Sequence, residues 1–205
     1  MNINDYNLQF HGLKERRLTR RIIIHHSASP DVAVTEIHRW HLERGWSGVG
    51  YHFVIRKNGC IEQGRPMNSI GAHAGTAGNS DSIGICLTGN FMKEVPSSEQ
   101  MKSLVELINY LRSHYNSELI VIQHKDVMPT DCPGIYFPWG QFINKISSKE
   151  ESTMPEEWKI DIMEKACKEG LITSEHLPDE TAPKWFVLAV ILNLLKKLES
   201  TSSED

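Results

Sequence analysis

A histidine and a cysteine that lie eight residues apart, His124 and Cys132, have the chemistry of a metal site. Imidazole nitrogen and thiolate sulfur are both good zinc ligands. The segment between them, KDVMPTD, has the polar residues and the proline of a loop, which lets both side chains reach one ion. The pair alone also fits a histidine that ends a strand and a cysteine that packs as a small buried thiol.

A third candidate ligand lies in the run RIIIHH at residues 21 to 26. A β-branched run of this length predicts a buried strand. Neighbouring residues on a strand face opposite sides of a sheet, so at most one of His25 and His26 can point into a given site. A single histidine on a strand is usually structural, so this run indicates a metal site only in combination with His124 and Cys132.

The elements that must position these residues alternate between strands and helices. Further apolar runs predict strands at residues 83 to 89 and 119 to 124. The segments GYHFVIRK and CIEQGR flank Asn58-Gly59, a dipeptide that favours a hairpin with a type I′ turn. This alternation predicts an α/β fold with a central mixed β-sheet flanked by helices.

Three helices are predicted around this sheet. The first runs from a cap at Thr35 to Arg44 and ends at Gly45. The second begins at a capping box formed by Ser97 and Gln100 and continues as an amphipathic segment to Leu111. The third spans residues 138 to 146.

Composition limits the kinds of partner that we expect. The 205 residues carry a net charge of −4, without the basic footprint of a nucleic-acid-binding protein. The four cysteines form no CxxC pair, and the charged N-terminus lacks the apolar core of a signal peptide, so we expect synthesis in the cytoplasm. The apolar stretch at residues 185 to 195 is too short for a membrane span and predicts a buried helix.

The composition changes near residue 148. The segment SSKEESTMP predicts a linker at residues 148 to 155 between a domain at 1 to 147 and a small all-helical domain at 156 to 205. Residues 148 to 205 hold 7 Lys and Arg against 13 Asp and Glu, whereas the preceding part has a net charge of +2. Two helices are predicted there, at about 156 to 169 and 183 to 198.

Several segments taken together resemble one protein family in their order along the chain. They are IIIHHSAS, GWSGVGYHFVIRKNGCIEQGRP, GAHAG, NSDSIGICLTGNF and QHKDVMPTDCPG. They resemble the zinc-dependent N-acetylmuramoyl-L-alanine amidases, a family that includes phage lysozymes of the amidase type and animal peptidoglycan recognition proteins. The resemblance covers about residues 18 to 142 and implies a mixed sheet with a groove over one Zn²⁺ ion per chain.

The resemblance also implies roles for individual residues. It places the zinc ligands at His25, His124 and Cys132, and a catalytic tyrosine at Tyr51. Some phage members have a catalytic lysine two residues before the cysteine, where this chain has Thr130. The peptidoglycan recognition branch also tends to have threonine at this catalytic position, but no lysine can stabilise an oxyanion there.

Three further residues are expected in the substrate groove. The resemblance places His73 of the GAHAG segment close to the substrate, and Asn79 and Trp46 are further candidate contacts. Hydrogen-bonded loop roles for His73 and Asn79, and a core role for Trp46, fit the sequence equally well. Structural or surface roles are expected for the remaining candidates, His38, His41, His52 and His114.

These observations lead to one favoured function and one alternative. The favoured function is a phage or prophage endolysin that cleaves the amide bond between N-acetylmuramic acid and L-alanine in peptidoglycan. The alternative is a module that binds peptidoglycan without cutting it, and the retained Cys132 argues against this alternative because non-cutting relatives typically lose it. We expect the C-terminal helical domain to serve wall binding or self-association into a homo-oligomer.

Overall fold

The computed structural model describes residues 1–115, 119–147, 164–172 and 184–201. The backbone divides into two compact units, Met1–Ser147 and Ser148–Asp205. The linker predicted at residues 148 to 155 lies outside the described residues. All the residues singled out for chemistry lie in the first unit.

One mixed sheet of six strands organises the first unit. Its strands are β1 (Ile3–Asn4), β2 (Arg21–His26), β3 (Phe53–Ile55), β4 (Ile61–Gln63), β5 (Ser82–Leu87) and β6 (Ile120–Gln123). They lie side by side in the order β1-β4-β3-β5-β2-β6. The hairpin pair β3 and β4 is antiparallel, while the other neighbours run parallel. The predicted α/β fold with a central mixed sheet is therefore confirmed.

Helices cover this sheet. They are α1 (Val34–Glu43), α2 (Gly75–Asn79), α3 (Ser98–Tyr115) and α4 (Trp139–Ser147), and a 3-10 turn covers His124–Asp126. The main hydrophobic core lies between one face of the sheet and the helices α3 and α4. A smaller core lies on the opposite face against α1, where Val34 and Ile37 pack on Val54 and Cys86.

The Asn58-Gly59 hairpin is confirmed, but the predicted turn type is wrong. A type I′ turn needs positive φ at both central residues, and here Gly59 alone has it, at 81°. The Gly59 N–H donates to Arg56 O at 2.9 Å, and the Asn58 side chain accepts the Cys60 N–H at 3.0 Å. Because the Asn58 side chain stabilises its own turn, the backbone needs left-handed geometry at the glycine only.

The two predicted helix caps differ in outcome. The capping box of α3 is confirmed, because Gln100 N–H donates to Ser97 Oγ at 3.0 Å and Ser97 N–H donates to Gln100 Oε1 at 3.1 Å. The cap at Thr35 is wrong, since α1 begins one residue earlier. The Val34 N–H of its first turn instead donates to the buried carboxylate of Glu62, at 2.5 Å, which a local pattern cannot reveal.

The described part of the second unit contains two helical segments. Residues 164–168 are helical, and α5 (Lys184–Thr201) corresponds to the second helix predicted there. The start of the first predicted helix, at residue 156, lies outside the described residues. Six exposed apolar side chains lie along α5: Val187, Leu188, Ile191, Leu192, Leu194 and Leu195. None of the helices among the described residues has the length and hydropathy that crossing a membrane requires.

Candidate metal centre and cleft

Two of the predicted ligands meet at one edge of the sheet. Strands β2 and β6 are parallel neighbours, and Ile24 pairs with Gln123 at the end of the ladder. His25 is the next residue of β2, and His124 directly follows the last residue of β6, so both side chains lie at the carboxyl end of the sheet. Their ring centroids lie 4.4 Å apart. The parallel register thus brings together two histidines that are far apart in sequence.

The third predicted ligand arrives on the loop that follows β6. The Lys125 N–H donates to Cys132 O at 2.9 Å, and the His26 N–H donates to Cys132 Sγ at 3.4 Å. Cys132 Sγ lies 3.8 Å from His25 Nδ1. One ligand atom from each of His25, His124 and Cys132 lies within 4.8 Å of the others, which is close enough to share one ion.

The donor atoms at this cluster fit a metal ion. His124 Nε2 is buried and has no hydrogen-bond partner among the described residues. Burial lowers the pKa of His25, and the neighbouring His124 lowers it further, so the ring stays neutral and keeps a free lone pair. Burial raises the pKa of the Cys132 thiol to about 11, and a bound cation would reverse that shift by favouring the thiolate. Two nitrogens and one sulfur are a zinc-type donor set.

Adjacent His26 serves the opposite face of the sheet, as the strand alternation predicts. Its Nδ1 accepts the Phe91 N–H at 3.0 Å, and its ring lies 5.8 Å from the Phe91 ring in the main core. The RIIIHH run therefore contributes one histidine to the site and one to packing.

Tyr51 lies beside the cluster on the segment that leads into β3. Its ring centroid is 5.1 Å from that of His25. Burial raises the pKa of the Tyr51 hydroxyl well above its ordinary value, and the Cys86 and Cys132 thiols contribute to the shift. The hydroxyl therefore stays protonated and available as a donor. Gly50 fixes the approach of this segment, because a Cβ there would lie 2.0 Å from Ala72 O.

A cleft of about 430 Å³ opens over this part of the sheet. Its wall contains all three residues predicted for the groove, together with Tyr51 and His124. It also contains residues for which no sequence pattern predicts a binding role. The lining residues are His41, Arg44, Trp46, Tyr51, Ala72, His73, Gly75, Asn79, His124 and Met128.

The predicted groove residues differ in what their polar atoms already do. Asn79 Oδ1 accepts the N–H groups of His73 and Ala74, both at 2.8 Å, so it shapes the loop that carries His73. The Trp46 side chain is 44% exposed, with its ring 4.7 Å from that of His41 and 5.9 Å from the Arg44 guanidinium carbon. Trp46 thus belongs to the wall of the cleft rather than to either core.

Local hydrogen bonds near the cluster involve Thr130, Asp126 and His41. The Thr130 hydroxyl is exposed and accepts the Cys132 N–H at 3.3 Å. Asp126 caps the turn that carries His124, because its carboxylate accepts the Gln123 N–H at 2.8 Å. His41 contributes both to structure and to the cleft, since its Nδ1 accepts the Gly50 N–H at 3.0 Å.

Similar proteins with known sequences include both branches named above. The chain is 39% identical over 127 residues to the endolysin of Enterobacteria phage K11, with 58% of this chain and 83% of that protein covered. It is 34% identical over 139 residues to peptidoglycan-recognition protein LB of Drosophila melanogaster, with 62% of this chain and 57% of that protein covered.

Solved structures give the same result. N-acetylmuramoyl-L-alanine amidase LysC from Clostridium intestinale URNW superposes with a TM-score of 0.68 at 38% identity, covering 71% of this chain and 97% of that one. Wild-type Drosophila PGRP-LB superposes with a TM-score of 0.61 at 28% identity, covering 73% and 94%. The family profile described as N-acetylmuramoyl-L-alanine amidase matches residues 15–135. Since that match spans more than half of the chain and contains the His25, His124 and Cys132 cluster, this protein belongs to the N-acetylmuramoyl-L-alanine amidase family.

Proposed function

We propose that this chain is a zinc-dependent endolysin that hydrolyses the amide bond between N-acetylmuramic acid and L-alanine in bacterial peptidoglycan. The observation that carries the proposal is the meeting of His25, His124 and Cys132 at the edge of a cleft, within a family of amidases. The similarity to phage endolysins supports peptidoglycan as the substrate and the cell wall as the place of action.

Three residues would hold the zinc ion. His25 would bind through Nδ1, the atom that faces Cys132, and His124 through its unpartnered Nε2. The His26 N–H would stabilise the Cys132 thiolate. A zinc ion held by these three residues would acidify water and polarise a carbonyl oxygen.

Tyr51 is the proposed donor to the reacting carbonyl. Its raised pKa keeps a proton on the hydroxyl at neutral pH, so the group can donate to the negative charge that develops on the amide oxygen. The ring lies between the ligand His25 and the cleft wall, 5.1 Å and 6.0 Å from the rings of His25 and His41. This place beside both the ligand cluster and the cleft supports the proposed role.

The cleft is the proposed binding site for the glycan and its peptide stem. Trp46 offers an exposed ring face, which suits a sugar or a peptide backbone, and the Arg44 cation beside it suits a stem carboxylate. His73 and Asn79 also line the cleft, and Asn79 acts there by accepting the His73 backbone N–H. Thr130 contributes by ordering the backbone of the cysteine loop next to the reacting groups.

The competing function is recognition of peptidoglycan without cleavage, which the similarity to peptidoglycan recognition proteins keeps relevant. Cys132 and its hydrogen bond from His26 support the enzyme, because a binding module needs no thiolate ligand. For residues 148–205, wall binding or self-association remains the proposed role, and the exposed apolar side chains of α5 agree with either.

Metal analysis combined with product analysis tests the proposal. Purified protein should hold about one zinc per chain, and digestion of purified peptidoglycan should release stem peptides with a free N-terminal alanine. Cys132→Ser should lose both zinc and activity, whereas Cys167→Ser, which removes an exposed thiol in the second unit, should lose neither. A wild-type protein that binds peptidoglycan without releasing peptides would establish the recognition module instead.

A further inference from the structure

The ring of His73 lies in a slot between two glycines. A Cβ on Gly71 would lie 2.4 Å from His73 Cδ2, and a Cβ on Gly84 would lie 2.5 Å from the same atom. Both distances are far below van der Waals contact, so any side chain at either position would displace the ring. Gly84 belongs to the central strand β5, and the ring therefore packs directly on the sheet backbone rather than projecting freely into the cleft.

Hydrogen bonds made by His52 and Asn79 hold the backbone around this slot. His52 Nδ1 accepts the Gly84 N–H at 3.0 Å, and His52 Nε2 lies 2.9 Å from Ser69 O, to which it donates. On the other side, Asn79 Oδ1 holds the His73 N–H at 2.8 Å. Both the backbone of His73 and the surface under its ring are thus held by buried hydrogen bonds, which is typical of a side chain whose orientation matters.

The ring so held makes one hydrogen bond, to a candidate metal ligand. His73 Nδ1 lies 3.0 Å from His25 Nε2, while the other nitrogen of His25, Nδ1, faces Cys132 Sγ at 3.8 Å. A neutral imidazole that presents Nδ1 to a cation carries its proton on Nε2. The direction of the hydrogen bond follows: His25 Nε2–H donates, and His73 Nδ1 accepts.

We propose that His73 is a positioning residue for the metal ligand His25, and that its accepting Nδ1 holds His25 in the tautomer and orientation that present Nδ1 to zinc. This inference rests on the proposed zinc site. It gives His73 a role besides lining the cleft, because its Nδ1 is engaged with His25. Metal-bound histidines commonly donate their second N–H to a carboxylate, a backbone carbonyl or water, and His73 Nδ1 takes that place here.

The partner of His25 is a neutral imidazole rather than a carboxylate, and this affects the net charge of the zinc site. A carboxylate in this place would orient His25 equally well, but it would add a negative charge to a site that already contains the Cys132 thiolate. A neutral imidazole orients the ligand and leaves the net positive charge of the zinc site intact. His73 therefore supplies geometry without weakening the Lewis acidity that the proposed reaction needs.

Zinc affinity, measured by competition with a chromogenic chelator, tests the inference with a readout other than activity. His73→Leu removes the acceptor, whereas His73→Asn places Oδ1 where Nδ1 was. We expect His73→Leu to weaken zinc binding roughly 10- to 100-fold and His73→Asn to stay close to wild type. His114→Leu, which removes an exposed histidine on α3, is the matched control and should bind zinc as wild type does. The melting temperature of each metal-free variant separates loss of fold from loss of ligand orientation.

Four outcomes overturn the inference. Equal weakening by His73→Asn and His73→Leu would show that the acceptor is not what matters. Long-range ¹H–¹⁵N spectra of zinc-loaded wild-type protein should show His73 protonated on Nε2, and a proton on its Nδ1 would reverse the assigned hydrogen bond even if no variant folds. A wild-type protein that binds no zinc would overturn the proposed function as well, whereas tight wild-type binding that His73→Leu leaves unchanged would overturn this inference alone.

Discussion

The two faces of strand β2 carry different kinds of side chain and are held by different forces. On one face Ile22 and Ile24 are fully buried against the core under α3 and α4. On the other, His25 meets a second histidine, a cysteine and a tyrosine within a few ångströms. The first face consists mainly of apolar side chains, with the hydrogen bond from Phe91 N–H to His26 as an exception, whereas the second needs particular atoms at particular distances.

This difference teaches where stability and chemistry are separated in the molecule. Apolar packing is non-directional, so a smaller side chain on the core face costs free energy of unfolding but leaves the opposite face in register. Hydrogen bonds on the site face are directional, and Gly84 N–H to His52 and His25 to His73 are examples. Changes there should alter binding or turnover more than stability.

The largest effect that sharpens this contrast is expected for Tyr51→Phe. Loss of a preorganised donor at the developing oxyanion should lower turnover by roughly 10²- to 10³-fold, while zinc content and melting temperature stay as in wild type. Steady-state kinetics on soluble muropeptide fragments measure this. Tyr110→Phe, an exposed tyrosine on α3, is the control and should behave as wild type. Unchanged turnover in Tyr51→Phe would remove the hydroxyl from the reaction.

The corresponding experiment in the main core, on helix α3, is Leu107→Ala. Leu107 is fully buried in the main core, and its truncation should lower the free energy of unfolding by about 3 kcal/mol through lost burial and a residual cavity. Zinc affinity of the remaining folded protein should not change. Urea denaturation measures the free energy of unfolding of Leu107→Ala. The control is Val95→Ala at an exposed position, whose free energy of unfolding should lie within about 0.5 kcal/mol of wild type. A parallel loss of zinc affinity in Leu107→Ala would mean that the two faces are coupled.

A smaller effect is expected from acid, and it acts through His52. Burial lowers the pKa of His52 from 6.5 to about 3. The unfolded chain therefore takes up a proton below pH 6.5 that the folded chain refuses until about pH 3. The stability that neutral His52 contributes is present above pH 6.5 and is lost as the pH falls towards 3, by about 2–3 kcal/mol at pH 4.5.

His52→Asn tests this dependence, because its side-chain oxygen still accepts the Gly84 N–H but has no proton to gain. In the presence of a chelator, the unfolding free energy of the variant should fall less steeply between pH 6.5 and 4.5 than that of wild type. His114→Asn, on the surface of α3, should retain the wild-type slope. Identical slopes for wild type and His52→Asn would show that other groups cause the acid sensitivity.

The parts of this molecule that sequence could predict are those encoded locally. β-branched runs gave β2, β5 and β6, and strand alternation separated His25 from His26 correctly. The capping box of α3 is equally predictable, because both of its residues lie within one turn. The predicted Thr35 cap is wrong because the group that caps α1, the Glu62 carboxylate, comes from strand β4.

What remained hidden depends on contacts between distant segments. Arg44 follows α1 and Met128 lies on the loop after β6, and both line the cleft. Met128 lies within the QHKDVMPTDCPG segment, but its side-chain chemistry does not predict a binding role. In the same way, the sequence alone does not show why residue 84 must be glycine. The reason is that the His73 ring packs where a side chain at residue 84 would lie. The resemblance to a family supplied the ligands, but the slot that orients one of them required the fold.

The smallest effect is expected at the outer wall of the cleft, with Trp46→Ala. This ring is 44% exposed and contacts neither the metal cluster nor a core, so its removal should cost substrate binding only. We expect KM to rise a few-fold, corresponding to about 1 kcal/mol for a lost ring contact, with kcat unchanged. Trp46→Phe keeps an aromatic face and should recover most of the loss. A fall in kcat at constant KM would show instead that Trp46 acts through the His41 ring on the Gly50–Tyr51 segment. Trp46 would then influence the reacting groups and not only substrate binding.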